Sequence, residues 1–134
     1  MELRELTTNF RSDYYTFPPD HAVVKWCQLM KEAIVKMDRH LDLKFDELAD
    51  LMRDVGFVDV VLRPFKIPLG TWPADPVLKE AGGLQLVALL EGIESLSLAL
   101  FTRCLGWEPL EVQVQLALTR KAFCQKKTYG YWPW

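Results

Sequence analysis

The sequence has few of the residues that bind metals or form disulfide frameworks. It contains two histidines and three cysteines (Cys27, Cys104 and Cys124), with no CxxC pair and no cysteine–histidine spacing typical of zinc sites. We therefore predict no metal site. We expect the three thiols to be reduced, small core residues of a cytoplasmic protein.

Clusters of one charge are also missing. The chain carries 16 basic and 18 acidic residues, with a net charge of −2, and no row of lysines or arginines marks a nucleic-acid surface. Nucleic acid is therefore not an expected partner. A 134-residue chain that is 50% hydrophobic and 25% charged has the composition of a globular protein, and we predict a single domain over residues 1–134.

The sequence lacks a long apolar run free of polar and ionisable residues. Its most apolar stretch, 84–105, contains Gln85, Glu91, Glu94 and Arg103, and ionisable groups are costly in the middle of a bilayer. The first six residues do not form the apolar core of a signal peptide. We therefore predict a buried or interface helix in this stretch and no membrane partner.

Apolar periodicity and turn residues predict the order strand, helix, helix, strand, helix, helix, strand. The predicted strands are 1–10, 57–62 and 128–134, and the predicted helices are 20–38, 44–55, 76–105 and 108–125. Gly56 and Gly106 follow two of these helices, where a left-handed residue commonly ends a helix, and Pro109 suits a first helical turn. Residues 63–75 form a proline-rich stiff loop, and the pair 82–83 is a candidate break in the long helix.

The expected fold class is α+β, mostly helical, with a few short strands. Strands this sparse make a poor sheet by themselves because their edges stay unpaired. The high hydrophobic content also predicts apolar surface that another chain can bury. We therefore expect a homo-oligomer, in the simplest case a dimer.

A series of short strings resembles the fungal LaeA-like methyltransferases of secondary metabolism, which are class I enzymes dependent on S-adenosylmethionine. The strings are PPDHA at 18–22, VKW at 24–26, DVGFVDV at 54–60, LGTWP at 69–73, LEGIE at 90–94, SLALFTR at 97–103 and LGW at 105–107. The resemblance covers roughly residues 15–134 and is to the C-terminal half of the family. It implies the substrate-capping lobe of a class I methyltransferase fold.

The family's cofactor-binding half has no counterpart in this chain. Class I methyltransferases use a glycine-rich turn that lets the backbone approach the cofactor, and an acidic residue that binds the ribose. The seven glycines of this chain form no GxGxG-like run. We therefore expect no cofactor. We also expect Met1 to begin a natural short protein, with a truncated gene product or an experimental fragment as the alternative.

The candidate catalytic residues are Glu91, Glu94, His21 and Tyr129. Glu91 and Glu94 lie three positions apart in an apolar helix, so both carboxylates share a face, and a raised pKa would make one a general acid or base. His21 is suited to proton transfer near neutral pH, and Tyr129 is a phenol donor in a position where many relatives carry histidine. The alternatives are solvent exposure or ion pairing for the acids, exposure or local bonding for His21, and packing for Tyr129.

Aromatic residues are the candidate substrate-binding set. Five Trp, seven Phe and four Tyr are many for this size, and large aromatics dominate pockets as well as cores. We predict a mostly apolar pocket with Glu91 or Glu94 as its main ionisable group, and core packing is the alternative for each aromatic residue. The predicted walls are Trp26, Trp72, Phe101, Tyr131 and Trp132.

Three functions remain open at this stage. The one we favour is a cofactor-independent enzyme or binding protein for a small hydrophobic, polyketide- or terpenoid-like metabolite, acting by positioning and proton transfer in a cyclisation or isomerisation. The second is a non-catalytic partner subunit of a pathway protein. The third is an inactive methyltransferase fragment. A deep pocket containing Glu91 or Glu94 would favour the first, and a flat apolar patch would favour the second.

Overall fold

The computed structural model describes residues 7, 9–39, 44–125 and 128–134, and these residues form four helices and two short strands. The elements are α1 (Ala22–Val35), α2 (Phe45–Asp54), β1 (Lys66–Pro68), α3 (Pro76–Leu105), α4 (Pro109–Phe123) and β2 (Tyr131–Pro133). The predicted class, α+β and mostly helical, is confirmed. All four predicted helices are present, with ends within three residues of the predicted ones.

Helices α1, α3 and α4 pack against one another and enclose the main core. Each contributes apolar side chains to this core. Burying one large aliphatic or aromatic side chain stabilises the fold by about 1.5–3 kcal/mol relative to leaving it in water. The larger side chains that are essentially inaccessible to solvent are Val23, Ile93, Ser97, Phe101, Val112, Leu116 and Thr119.

The two strands form an antiparallel pair in which Ile67 lies opposite Trp132. On the other side of β2, Arg11 forms an isolated antiparallel bridge with Tyr131, and the Thr7 backbone N–H donates to the Pro133 carbonyl oxygen at 3.2 Å. The predicted C-terminal strand is thus confirmed in a shorter form. Of the predicted strand 1–10, residues 1–6 and 8 lie outside the described residues, and the described ones form no strand.

The predicted strand at 57–62 is wrong, and β1 lies instead in the segment predicted as a loop. Hydrogen-bonding groups of β2 pair with 66–68 on one side and with the chain near Arg11 on the other. Residues 57–62 are consequently left without a partner strand in the described structure, and Val58 is 84% exposed. High β propensity does not form a strand unless a neighbouring backbone can pair with it.

Helix α3 runs for 30 residues without a break at Gly82–Gly83. Asp75 caps its first turn by accepting from the Leu78 backbone N–H at 2.9 Å, and Gly106 ends it with a positive φ of 76°. The predicted break is wrong because Gly82 serves a close approach: the Gly70 N–H donates to the Gly82 carbonyl oxygen at 2.9 Å. A Cβ on residue 82 would lie 2.2 Å from the Gly70 carbonyl oxygen.

Helix α2 packs on no other described helix or strand. Its buried surface is small, with Ala49 its one fully buried side chain among the described residues. Leu51 is 58% exposed, and Val55, which follows the helix, is 70% exposed. Gly56 ends this segment with φ 100°, as predicted. Phe45, Leu48 and Met52 are half-buried, so the apolar face of α2 is covered in part and left in water at Leu51 and Val55.

Candidate functional site

Two of the predicted aromatic residues, Trp26 and Trp132, line a small cleft of about 130 Å³, here called the Trp26 cleft. The Trp26 indole N–H donates to Ser97 Oγ at 2.8 Å, and Ser97 in turn donates to the Ile93 carbonyl oxygen at 2.6 Å. The Trp132 ring lies 4.7 Å, centroid to centroid, from Phe10. These contacts fix both indoles. The other lining residues are Thr7, Cys27, Met30, Gln85, Leu89 and Leu96.

The chemistry of the Trp26 cleft is almost wholly apolar. Thr7 and Gln85 supply its polar side chains, and among the described residues no carboxylate, imidazole or ammonium group lines it. Its volume is below the roughly 300–1,000 Å³ typical of ligand pockets. The cleft fits a compact apolar group. It has no ionisable acid or base apart from the Cys27 thiol.

Trp72 and Tyr129 lie together elsewhere, with Tyr14 as a third ring. Their centroids are 5.3–6.4 Å apart, so the rings are in direct contact. The Trp72 indole N–H donates to the Gly130 carbonyl oxygen at 3.2 Å, and Tyr129 has a positive φ of 36°. This cluster closes the loop before α3 onto the C-terminal segment. The structure therefore does not bring Trp72 and Tyr129 to the walls of the Trp26 cleft.

Glu91 and Glu94 line neither the Trp26 cleft nor a second concavity found along α4. Glu91 is exposed. Glu94 is half-buried: Gln113 Nε2 donates to its Oε1 at 2.7 Å, and Arg120 Nη2 lies 3.5 Å from its Oε2. The contacts on Glu94 come from α4, and they match the ion-paired alternative considered for these acids.

His21 and Phe101 occupy different surroundings from the glutamates. His21 precedes α1, and its ring lies 4.8 Å from that of Phe17. Its Nδ1 is buried and has no hydrogen-bond partner among the described residues. Burial lowers the pKa of His21 because desolvation disfavours the imidazolium, with Asp20 opposing the effect. Phe101 is fully buried against Trp107, at a ring distance of 5.7 Å, and belongs to the core.

Tyr131 belongs to a polar cluster that sequence reasoning missed. Its hydroxyl donates to Asp13 Oδ1 at 2.8 Å, and Lys66 Nζ donates to Asp13 Oδ2 at 2.5 Å. Lys66 lowers the pKa of Asp13, while burial, aided by Asp13, raises the pKa of Tyr131. Any two of these three residues are at least 53 positions apart in the sequence, so no local pattern indicated the cluster. They tie the N-terminal segment to the sheet at the surface.

The three cysteines differ in their burial. Core placement is confirmed for Cys27 and wrong for Cys124, which is exposed directly after the end of α4. Among the described residues, no group of three or more His, Cys, Asp or Glu side chains could hold a metal ion.

A second, larger concavity lies along α4, here called the α4 groove. It has a volume of about 350 Å³ and is open to solvent. Leu110, Val114 and Leu118 are 75%, 56% and 52% exposed, and they recur every four residues along one side of the helix. This spacing was the available sequence signal, and our predictions did not use it. The remaining lining residues are Lys25, Trp107, Glu111 and Gln115.

Exposed apolar side chains also lie outside the two concavities. On α3, Val77, Leu84 and Val87 are 72%, 66% and 53% exposed and point to one side of the helix; we call them the α3 face. A second exposed stretch, the 57–65 segment, follows α2. Its exposed apolar residues are Phe57, Val58, Val61, Leu62 and Phe65.

Helix α3 is also long and apolar enough, by length and composition alone, to cross a membrane, and it is the one such helix among the described residues. Only 17% of the most apolar stretch of this helix is buried in the structure. Burial within the described chain therefore does not explain why the helix is so apolar. Glu91 and Glu94 interrupt that stretch, and carboxylates at the bilayer centre are costly. Of the two predictions for this stretch, a buried helix or an interface helix, the interface helix stays a prediction.

Several fungal proteins are similar to this chain over most of its length. The chain is 37% identical over 114 residues to methyltransferase pytC of Aspergillus terreus, covering 85% of this chain and 35% of that protein. It is 31% identical over 135 residues to the probable methyltransferase tdiE of Emericella nidulans, covering 99% and 42%. It is 30% identical over 129 residues to the secondary metabolism regulator LAE1 of Cochliobolus heterostrophus, covering 95% and 41%. Neither a family model nor a solved structure matches the chain.

These similarities confirm the resemblance predicted from the short strings. The chain is homologous to a fragment of fungal methyltransferases and LaeA-like regulators. It spans 35–42% of the length of the three relatives.

Proposed function

We propose that this chain is a non-catalytic lobe that docks on a class I, cofactor-binding methyltransferase domain of fungal secondary metabolism. The observation that supports the proposal best is the uncovered apolar surface of α3 and of the 57–65 segment. Each relative has more than half of its length outside the matched region. We propose that this remainder contains such a domain. The proposal corresponds to the partner-subunit alternative.

The composition of α3 supports docking. A helix that is hydrophobic all round is normally buried on all sides, yet Val77, Leu84 and Val87 are more than half exposed. Covering each of these side chains would contribute roughly 1–2 kcal/mol. A protein surface that packs on the α3 face would therefore account for residues that the described core leaves in water.

The 57–65 segment supports the same partner. Val58 and Val61 are β-branched, and they are 84% and 71% exposed in a stretch without a partner strand. Phe65 already exchanges backbone hydrogen bonds with Trp134, and Asp59 has a positive φ of 56°, but residues 60–64 pair with no strand in the described structure. We propose that these residues add to a sheet edge of the partner, where main-chain hydrogen bonds provide affinity. Class I methyltransferase domains, which this chain resembles in part, are built on such a sheet.

The placement of the candidate catalytic residues favours a lobe without chemistry of its own. Glu91 is exposed, Glu94 is bonded to α4, and His21 and Tyr129 lie in separate clusters. General acid–base catalysis needs such groups within hydrogen-bond reach of one substrate position. With no glycine-rich turn, the chain by itself should also show no S-adenosylmethionine binding in a calorimetric titration.

A second candidate function rests on the Trp26 cleft. Its two fixed indoles and apolar lining suit a cofactor-independent enzyme or binding protein for a small hydrophobic metabolite, with positioning as the main source of any cyclisation or isomerisation. Quenching of tryptophan fluorescence by a compact apolar ligand, lost in Leu96→Trp, would support it. Wild-type quenching that Leu96→Trp leaves unchanged would exclude this cleft.

Docking can be tested with the part of pytC that lies outside the matched 114 residues. We expect the 134-residue chain to bind that part in a calorimetric titration, with a negative heat-capacity change because apolar surface is buried. Val87→Glu on the α3 face should weaken binding at least about tenfold. Val114→Glu, an equally exposed valine on α4, is the matched control and should change the affinity by less than about twofold.

Two results would overturn the docking proposal. One is the absence of binding by a wild-type chain whose circular dichroism shows it folded. The other is equal weakening by Val87→Glu and Val114→Glu, which would mean that the α3 face has no special part in the contact.

A further inference from the structure

Helix α4 carries an exposed apolar row that the docking proposal does not use. Leu110, Val114 and Leu118 recur at four-residue spacing and lie along the α4 groove. On a helix this spacing places the three side chains on one face, one above another. Because they belong to a different helix from the α3 face, one partner surface need not cover both.

Charge is distributed unevenly along the same helix. Glu108 and Glu111 stand at its N-terminal end, and Arg120 and Lys121 at its C-terminal end. The two glutamates form a reciprocal capping box, in which Glu111 Oε2 accepts from the Glu108 backbone N–H at 2.8 Å. One end of the apolar row is therefore acidic and the other basic.

We infer that a second copy of this chain occupies the α4 groove, with the two α4 helices antiparallel about a twofold axis at Val114. In that arrangement Leu110 of each chain packs against Leu118 of the other, and the two Val114 side chains meet on the axis. An isologous contact of this kind needs a surface that is complementary to itself. The α4 row meets this requirement because it is symmetric about Val114.

The charges meet the same requirement. Lys121 lies seven residues after Val114 and Glu108 lies six residues before it. With a rise of about 1.5 Å per residue, antiparallel pairing brings each Lys121 to within about 2 Å of the height of the other chain's Glu108. A parallel arrangement would instead bring like charges together at both ends, which disfavours it.

The size of the contact limits its strength. Helix α4 has 15 residues and is therefore about 22 Å long. One face of such a helix buries well under the roughly 800 Å² per partner of a standard protein interface. The dimer is consequently weak, with a dissociation constant in the micromolar range or above, and its formation depends on protein concentration.

Sedimentation equilibrium of the 134-residue chain over a range of concentrations tests the inference. We expect the average mass to rise from 15.5 kDa toward twice that value as concentration increases. Val114→Glu should raise the dissociation constant at least about tenfold because it sets two carboxylates on the axis. Lys121→Glu should weaken the dimer by repelling Glu108, and this exposed change keeps the test valid if Val114→Glu misfolds.

Val87→Glu on the α3 face is the matched control and should leave the dissociation constant within about twofold of wild type. The inference is overturned if the wild-type mass stays at 15.5 kDa at all concentrations. It is also overturned if Val87→Glu dissociates the dimer while Val114→Glu and Lys121→Glu do not. Since docking on a methyltransferase domain depends on the α3 face, each proposal can fail without the other.

Discussion

Replacement of Gly82 by alanine should destabilise this protein, although alanine is favoured over glycine in a helix interior by about 1 kcal/mol. The reason is a close contact between α3 and the loop before it. A Cβ at position 82 would lie 2.2 Å from the Gly70 carbonyl oxygen and 3.1 Å from Pro68 Cγ. Neither neighbour is the free end of a flexible side chain, so the backbone of the loop has to move.

The magnitude follows from three contributions. Overpacking of a tight contact costs about 1–3 kcal/mol. Displacing the loop also breaks the hydrogen bond from the Gly70 N–H to the Gly82 carbonyl oxygen, which contributes about 0.5–1.5 kcal/mol. After the helix preference of alanine is subtracted, Gly82→Ala should lower the free energy of unfolding by roughly 1–3 kcal/mol. For a chain of this size that corresponds to a melting temperature lower by about 3–12 °C.

Urea unfolding followed by circular dichroism measures this change, and the same helix provides the control. Gly92 is also inside α3, but a Cβ added there meets no atom within 4 Å. Gly92→Ala should therefore raise the free energy of unfolding by about 0.5–1 kcal/mol. If Gly82→Ala proves as stable as Gly92→Ala, the close approach of the loop to α3 does not exist in solution and the reasoning is refuted.

Three further predictions concern the candidate site. Trp26→Phe removes the indole bond to Ser97 and should cost about 1–3 kcal/mol in urea unfolding; a loss below about 0.5 kcal/mol would show that the bond is not made. Burial lowers the pKa of His21 in the folded protein, so the free energy of unfolding should fall as pH drops from the ordinary pKa of 6.5 through the folded pKa. In melting curves between about pH 7.5 and 5.5, His21→Gln should flatten this dependence. An unchanged slope in the variant would contradict the prediction. Glu91→Gln and Glu94→Gln should each change stability by less than about 1 kcal/mol; a loss of about 100-fold or more in any turnover assay would make them catalytic after all.

The helices illustrate what local sequence patterns determine. Asp75 and Pro76 at the start of α3, and Gly106 at its end, mark the boundaries that the structure shows. Capping and φ preferences act within a few residues, so they do not depend on how the rest of the chain folds. The α+β class and all four helices were predictable for this reason.

The strands depended on non-local pairing. Phe57–Leu62 has the stronger β propensity, yet the short segment 66–68 forms β1 because it lies beside Tyr131–Pro133. No periodicity in a single segment indicates which other segment will pair with it.

The candidate site also has features that the local sequence indicates and features that only the packing of the chain decides. The sequence by itself determined that Trp26 and Trp132 are large, mainly apolar side chains suited to a pocket wall or to the core, and their burial is a finding of the structure. Only the tertiary structure decided that these two share a cleft, that Trp72 and Tyr129 lie elsewhere and that Glu94 bonds to α4. Such placements depend on how helices distant in the chain cross, and on which apolar faces the core covers or leaves exposed, and that geometry is a property of the packed chain as a whole.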